Sequence, residues 1–253
     1  MGDEGRYLYA VTRRPEQPVA GTGLRGEQLR SIEHRGLVAV VSDVALDEFG
    51  EEGLARNLED LEWLSEVART HDDVVRRVAR TGSVAPLRLA TICLDDDAVQ
   101  SRLDDWHDQL DSALARVEGC AEWSVKVFAS ATAEDTAQVA SEEGVGAGAA
   151  YLRRKRDRAQ RRQAVEQASM EVAEDVHRMA SEHAHASRRL AAQDPRLTGY
   201  TGSMVLNGAY LVPETDQEDF VAALAALARE HEDLRIDVQG PWPPYSFATL
   251  DAP

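Results

Sequence analysis

Cysteine and lysine are nearly missing from this 253-residue chain, which holds two of each. Cys93 and Cys120 lack the C-x-x-C spacing of metal and redox sites, so they read as two reduced core thiols. Arginine is plentiful where lysine is rare, a skew better explained by coding bias than by function. No apolar run approaches the ~20 residues needed to span a bilayer. The opening residues, Met1 to Tyr9, carry charged groups where a secretory signal would carry an apolar core. Both absences point to a soluble, cytoplasmic protein that does not enter a membrane. Acidic residues outnumber basic ones, 45 to 28. A net charge of −17 would repel nucleic acid and anionic lipid surfaces, so neither is expected as a partner. No P-loop, G-x-S-x-G elbow or H-E-x-x-H sequence occurs, so the chain carries no motif-level signature of an enzyme, and no cofactor is expected.

Several patterns imitate chemistry without its context. Gly21-Thr-Gly-Leu-Arg-Gly26 matches the dinucleotide motif by letter. That motif needs a strand before it and a helix after it, to aim backbone N–H groups at a pyrophosphate. Pro15 and Pro18 precede it here, and the stretch reads as a flexible loop. His177, His183 and His185 fall on one predicted helix, but their spacings of six and two do not share a face as chelating residues must. The acidic run from Asp43 to Glu66 reads as solubilising carboxylates at helix starts and loops rather than as an acid–base pair.

Periodicity gives the organisation. Arg6 to Val11 predicts a first strand, and Leu29–His34 and Leu37–Ser42 a hairpin around Arg35-Gly36. Leu54, Leu58, Leu61, Leu64, Val67, Val74 and Val78 make one stripe, predicting a single long helix ended at Thr81-Gly82. Val84–Cys93 predicts a strand, and Asp95-Asp96-Asp97 the capped start of a helix running through Val117. Trp123, Val125 and Val127 predict a strand that closes the first sheet. The expected domains are therefore 1–130, a linker at 131–150 rich in Ala, Gly, Ser and Glu, and 151–253.

In the second domain Val165, Ser169, Val172, Val176, Met179, His183, Ala186 and Leu190 recur by fours and threes, the repeat of a helix packed along another helix. It is expected to run from about Ala147 to Gln193 and to stop at Asp194-Pro195. A βαβ element follows: Met204–Val212, a helix opened by the capping box Thr215-Asp216-Gln217-Glu218, and Leu234–Val238. One anomaly stands out in so acidic a chain. Arg153, Arg154, Lys155, Arg156, Arg158, Arg161 and Arg162 crowd the start of the long helix, where they suit either solvent or an acidic partner surface.

The chain closes on Gly240-Pro-Trp-Pro-Pro-Tyr-Ser-Phe247, whose three prolines predict a stiff, extended segment presenting Trp242, Tyr245 and Phe247. This string resembles the C-terminal signature of the GvpL/GvpF family of gas vesicle proteins. Further matches run in the family's order along the whole chain: Tyr7-Leu-Tyr9, Gly36-Leu-Val-Ala-Val-Val-Ser42, Leu61-Glu-Trp63 with Ala68-Arg-Thr-His71, Pro86-Leu-Arg88, Glu122–Val127 and Gly146–Leu152. The resemblance implies an α+β protein with an N-terminal ferredoxin-like domain and a C-terminal domain built on a coiled-coil helix. It further implies an accessory or minor structural protein of gas vesicle assembly, with no catalytic residues. Its partners would be the shell protein and other accessory proteins, and its place the cytoplasm, on the vesicle.

The candidate partner-binding residues are Arg153, Arg154, Lys155, Arg156, Trp242, Tyr245 and Phe247. An alternative, a regulatory module binding a small ligand, follows from the versatility of ferredoxin-like sheets.

Overall fold

The computed structural model describes residues 4–13, 19–129, 147–193 and 203–248; of the linker expected at 131–150, residues 131–146 lie outside them, as does the stop at Asp194-Pro195, while 147–150 are helical. By its contacts the chain divides into two compact units, Met1–Glu122 with Pro241–Pro253, and Trp123–Gly240. These limits differ from those read off the sequence. A shift in composition marks where the chain turns polar, which need not be where two sheets part.

In the first unit, β1 (Glu4–Arg13), β2 (Arg30–His34), β3 (Leu37–Ala45) and β4 (Val84–Pro86) form an antiparallel sheet in the order β2-β3-β1-β4. The short β5 (Ile92–Cys93) pairs with β1 at Arg6 and Tyr7. The β2–β3 hairpin turns at Arg35-Gly36 with φ of 48° and 83°, the two-residue left-handed turn that suits strand twist. Residues 84–93 were expected as one strand, but the chain leaves the sheet between β4 and β5, with Ala90 at φ 60°. Pro86 has no N–H for the ladder, and the Ala90 N–H is taken by the Tyr7 hydroxyl instead.

A short α1 (Leu46–Phe49) follows β3, and the stripe predicted as one helix falls on two, α2 (Glu51–Asn57) and α3 (Leu61–Ala79). The break has a physical cause. The Asp60 carboxylate accepts the Glu62 and Trp63 N–H groups at 2.9 and 3.2 Å and starts a fresh helix. Leu58 and Leu61 consequently leave the stripe, 46% and 79% exposed. Val67, Val74 and Val78 of α3 then pack on Tyr7, Tyr9, Val40 and Val44. The next predicted helix is also broken, at Trp106, into α4 (Asp96–Asp105) and α5 (His107–Arg116); Asp95 caps α4 as expected, accepting the Ala98 N–H at 2.8 Å.

In the second unit β6 (Cys120–Ala129), β7 (Ala186–Arg189), β8 (Ser203–Pro213) and β9 (Leu234–Trp242) form a sheet in the order β7-β8-β6-β9. β6 was expected to close the first sheet. Alternation identified it as a half-buried strand but carries no information about which sheet it joins. The helix α6 (Ala147–Glu182) has 36 residues, about 54 Å, and ends earlier than predicted. Ala186 pairs with Leu211 in β7, and Leu190 donates its N–H to Asn207, so the last two positions of the repeat belong to the sheet. Ala173, Val176 and Ala180 of α6 pack with Val125, Tyr210 and, from α7 (Gln217–Glu230), Phe220 and Leu224. The capping box before α7 does not form: Asp216 makes no side-chain cap bond, and the Thr215 hydroxyl donates to the Asp216 carboxylate at 2.7 Å.

The closing string also departs from expectation. β9 continues through Trp242 despite Pro241, and Tyr245–Ala248 form a single helical turn, α8. Proline is tolerated at a strand edge and just before a helix, and the string uses both positions.

Candidate functional site

The tail is held in a seat built by the first unit. Glu122 is a buried carboxylate at the end of this unit, and it receives α8 with both oxygens. Oε2 accepts the Ser246 N–H at 2.7 Å and Oε1 accepts the Ser246 hydroxyl at 2.6 Å. Arg116 of α5 donates to the Phe247 carbonyl at 3.1 Å. On α3, Asp72 accepts from the Tyr245 hydroxyl at 3.1 Å and from Arg76 at 2.6 Å, and the Arg76 guanidinium lies 4.3 Å from the centre of the Trp242 ring. Burial, reinforced by the Asp72 charge, pushes the Tyr245 phenol upward, so it stays protonated and can donate. Of the aromatic residues singled out in the sequence, Phe247 is buried and Trp242 and Tyr245 are half-buried. The four polar groups that hold them were not legible beforehand, because Asp72, Arg76, Arg116 and Glu122 look like ordinary helix and strand charges.

Beside this seat a cavity of about 350 Å³ is lined by Ala68, His71, Asp72, Leu87, Arg88, Leu89 and Tyr245. His71 forms its floor and belongs to a buried polar chain. The Tyr7 hydroxyl accepts the Ala90 N–H at 3.1 Å and lies 3.0 Å from His71 Nδ1; the Tyr9 hydroxyl accepts the Leu24 N–H at 2.8 Å and lies 2.8 Å from Ser42 Oγ. Each tyrosine thus pins one loop to β1. With Nδ1 accepting from Tyr7, the His71 proton sits on Nε2, a buried atom that meets no hydrogen-bond partner among the described residues. Burial lowers the His71 pKa from 6.5 to about 4, and the imidazole is neutral at pH 7.

The glycine-rich stretch is explained by the same chain. Leu24–Gly26 form a 3-10 turn, Thr22 bridges to Gln28, and Leu24 is buried, so this is an ordered loop rather than the flexible one expected. A Cβ at Gly23 would collide with the Tyr9 hydroxyl. The glycine serves close packing on a side chain, not a phosphate. Arg25, held at φ 55°, is tied by Glu48 and, at 2.6 Å, by Glu66; its guanidinium keeps the Glu48 carboxylate below its ordinary range.

The remaining sequence candidates separate. His177 Nδ1 meets the Tyr210 hydroxyl at 2.8 Å and His183 Nδ1 the Met179 carbonyl at 3.0 Å. No group of His, Cys, Asp or Glu among the described residues is arranged to hold a metal ion. Cys93 and Cys120 are both free thiols, the first buried. Arg153, Lys155 and Arg156 are exposed on α6, together with every described side chain from 159 to 168. The side chain of Arg154 lies outside the described residues. Among those described, no helix is long and apolar enough to cross a membrane.

The described residues form two antiparallel sheets with flanking helices and a tail seated by charges. Residues 5–249 match the family model described as gas vesicle synthesis protein GvpL/GvpF. The chain belongs to the GvpL/GvpF family. It is 37% identical to gas vesicle protein L of Streptomyces sp. strain CB03234, over 98% of this chain and 94% of that protein. It is 29% identical to gas vesicle protein L2 of Halobacterium salinarum, over 97% and 91%. The crystal structure of GvpF from Anabaena sp. PCC7120 is similar with a TM-score of 0.70 at 19% identity, covering 98% of each chain. At that identity the likeness concerns the fold alone, and it places this GvpL/GvpF chain in the same mixed α+β architecture. Family membership supports a role in gas vesicle assembly, in a family of structural and assembly proteins not known as enzymes.

Proposed function

We propose that this chain is an accessory or minor structural protein that works by holding the gas vesicle shell protein, and other accessory proteins, while the wall is built. The observation that carries the reading is the family match over residues 5–249. Support for contact rather than chemistry comes from the exposed basic residues Arg153, Lys155, Arg156 and Arg161 of α6. Arg153, Arg154, Lys155 and Arg156 are the proposed partner-binding residues. Trp242, Tyr245 and Phe247 enter the proposal as the residues that fix the tail in its seat, leaving less of their surface for a partner. The strand order β2-β3-β1-β4, all antiparallel, favours the ferredoxin-like reading of the first unit, and the exposure of every described α6 side chain before Ser169 favours a coiled-coil-type pairing. The working place is the cytoplasm, on the vesicle.

Deleting the coding sequence should abolish or deform vesicles; normal vesicles in the deletion strain would refute the role. Tagged protein should also capture the shell subunit at low and moderate salt, and failure at both would refute the contact. A second reading, a small-ligand module, draws on the 350 Å³ cavity beside His71. A saturable thermal shift with one compound in a metabolite and nucleotide screen would favour it, and a flat screen would remove it.

A further inference from the structure

The helix α6 changes character along its length. From Ser169 onward one side is buried, at Ser169, Ala173, Val176 and Ala180. Before Ser169 every described side chain is exposed, whichever way it points. Residues 153–162 carry seven basic side chains and one acidic, a net +6 in a chain of net −17. Arg153 and Arg156 fall three apart, so like charges neighbour each other on the helix. A helical stretch whose described side chains are all exposed and rich in like charge is marginal in water, and an acidic surface laid along it relieves both problems.

The first unit has a surface of the matching kind. Between α2 and α3 the turn exposes Leu58 and Leu61, at 46% and 79%, in a segment whose exposed Glu51, Glu52, Glu59 and Glu62 outnumber its one exposed cation, Arg56. This pairs exposed apolar area with acidic charge. The α6 stretch pairs a basic segment with exposed Val165 and Met170, at 43% and 44%. Charge and apolar area are complementary between these two surfaces.

We propose that the acidic partner of α6 is a second copy of this chain, engaged at the Leu58–Glu62 turn. The proposal rests on the reading of α6 as a partner surface and names what that surface takes. Every copy carries both halves of the contact, on different elements, so copies can join reciprocally as a two-fold dimer or head to tail in rings and open chains. Being between opposite charges, the contact forms at low salt and weakens as salt rises.

The test is sedimentation velocity of the full chain at about 50 and about 500 mM salt, across a concentration series. Species heavier than the 27.8 kDa monomer are expected at low salt and should dissociate at high salt. Arg153→Glu with Arg156→Glu should give a monomer, as should Glu59→Arg with Glu62→Arg, each with an unchanged circular dichroism spectrum. Mixing the two variants should restore association, because one then supplies the basic helix and the other the acidic turn. A wild-type chain that stays monomeric at low salt overturns the proposal. So does association that survives the Glu59/Glu62 reversal. Capture of the shell subunit is measured in parallel with the same variants. Shell binding lost on reversing Arg153 and Arg156 in a chain that never self-associates overturns the second copy while leaving α6 as a partner surface.

Discussion

The seat of the tail makes a quantitative prediction. Glu122 is 8% exposed, and its two oxygens accept the Ser246 N–H at 2.7 Å and the Ser246 hydroxyl at 2.6 Å. A hydrogen bond to a charged group contributes about 1.5–3 kcal/mol, and removing both together should cost about 3–5 kcal/mol because neighbouring terms do not simply add. Glu122→Ala should therefore lower the melting temperature by roughly 10 °C, at ~2–4 °C per kcal/mol for a chain of this size. Ser246→Ala loses one of the two bonds and should cost about half as much. The pair should be coupled: once Glu122 is gone, removing the Ser246 hydroxyl should add little. Thermal unfolding followed by circular dichroism gives the magnitude. Hydrogen exchange at the Ser246 amide locates it, since that amide should become among the fastest in the first unit. A Glu122→Ala protein that melts within ~2 °C of the parent, with Ser246 still protected, would show that the seat contributes nothing and that apolar packing of Phe247 alone holds the tail.

Further predictions follow from the same unit and its neighbour. His71 is held neutral, its pKa lowered from 6.5 to about 4. The unfolded chain therefore binds a proton first as pH falls, so this contribution is complete above pH ~6.5 and is lost on the way down through pH 4, to a total of about 3 kcal/mol. His71→Gln keeps an acceptor for Tyr7 but cannot titrate; its urea-unfolding free energy should fall less steeply over that range than the parent's, and parallel curves would contradict the account. Gly23→Ala should destabilise the first unit by about 1–3 kcal/mol, because the added Cβ meets the Tyr9 hydroxyl; a denaturation midpoint equal to the parent's would count against it. Phe220 is fully buried between Trp123 and Tyr210, so Phe220→Ala should cost about 3–5 kcal/mol, read as faster amide exchange in β6 and β8.

Much of the fold was legible where a pattern is local. The Arg35-Gly36 turn, the Asp95 cap and the alternation of Trp123, Val125 and Val127 each declare their own conformation within a few residues. What failed was non-local or a contest between two local signals. The Leu54–Val78 stripe fits one helix, yet Asp60 at its middle is a better cap than a helix interior residue, and the cap prevailed. Ala186 and Leu190 continue a heptad, but the backbone of β8 offers them strand partners that no periodicity can foresee. The basic cluster was visible because seven like charges are a compositional fact. The seat was not, because Asp72 and Glu122 acquire their meaning only when a segment more than a hundred residues later arrives between them.

That late arrival orders the chain's own making. The first unit includes both the opening strands and the residues from Pro241 onward, while Trp123–Gly240 form a unit by themselves. During synthesis the segment begun second is thus the one that can be completed first, since all its strands have left the ribosome before the tail does. The earlier unit meanwhile waits with Glu122, Asp72 and the sides of Tyr7 and His71 uncovered. A stalled or clipped chain lacking only its last dozen residues would keep its second sheet intact and spoil the first, so damage at the end of this sequence is felt at its beginning.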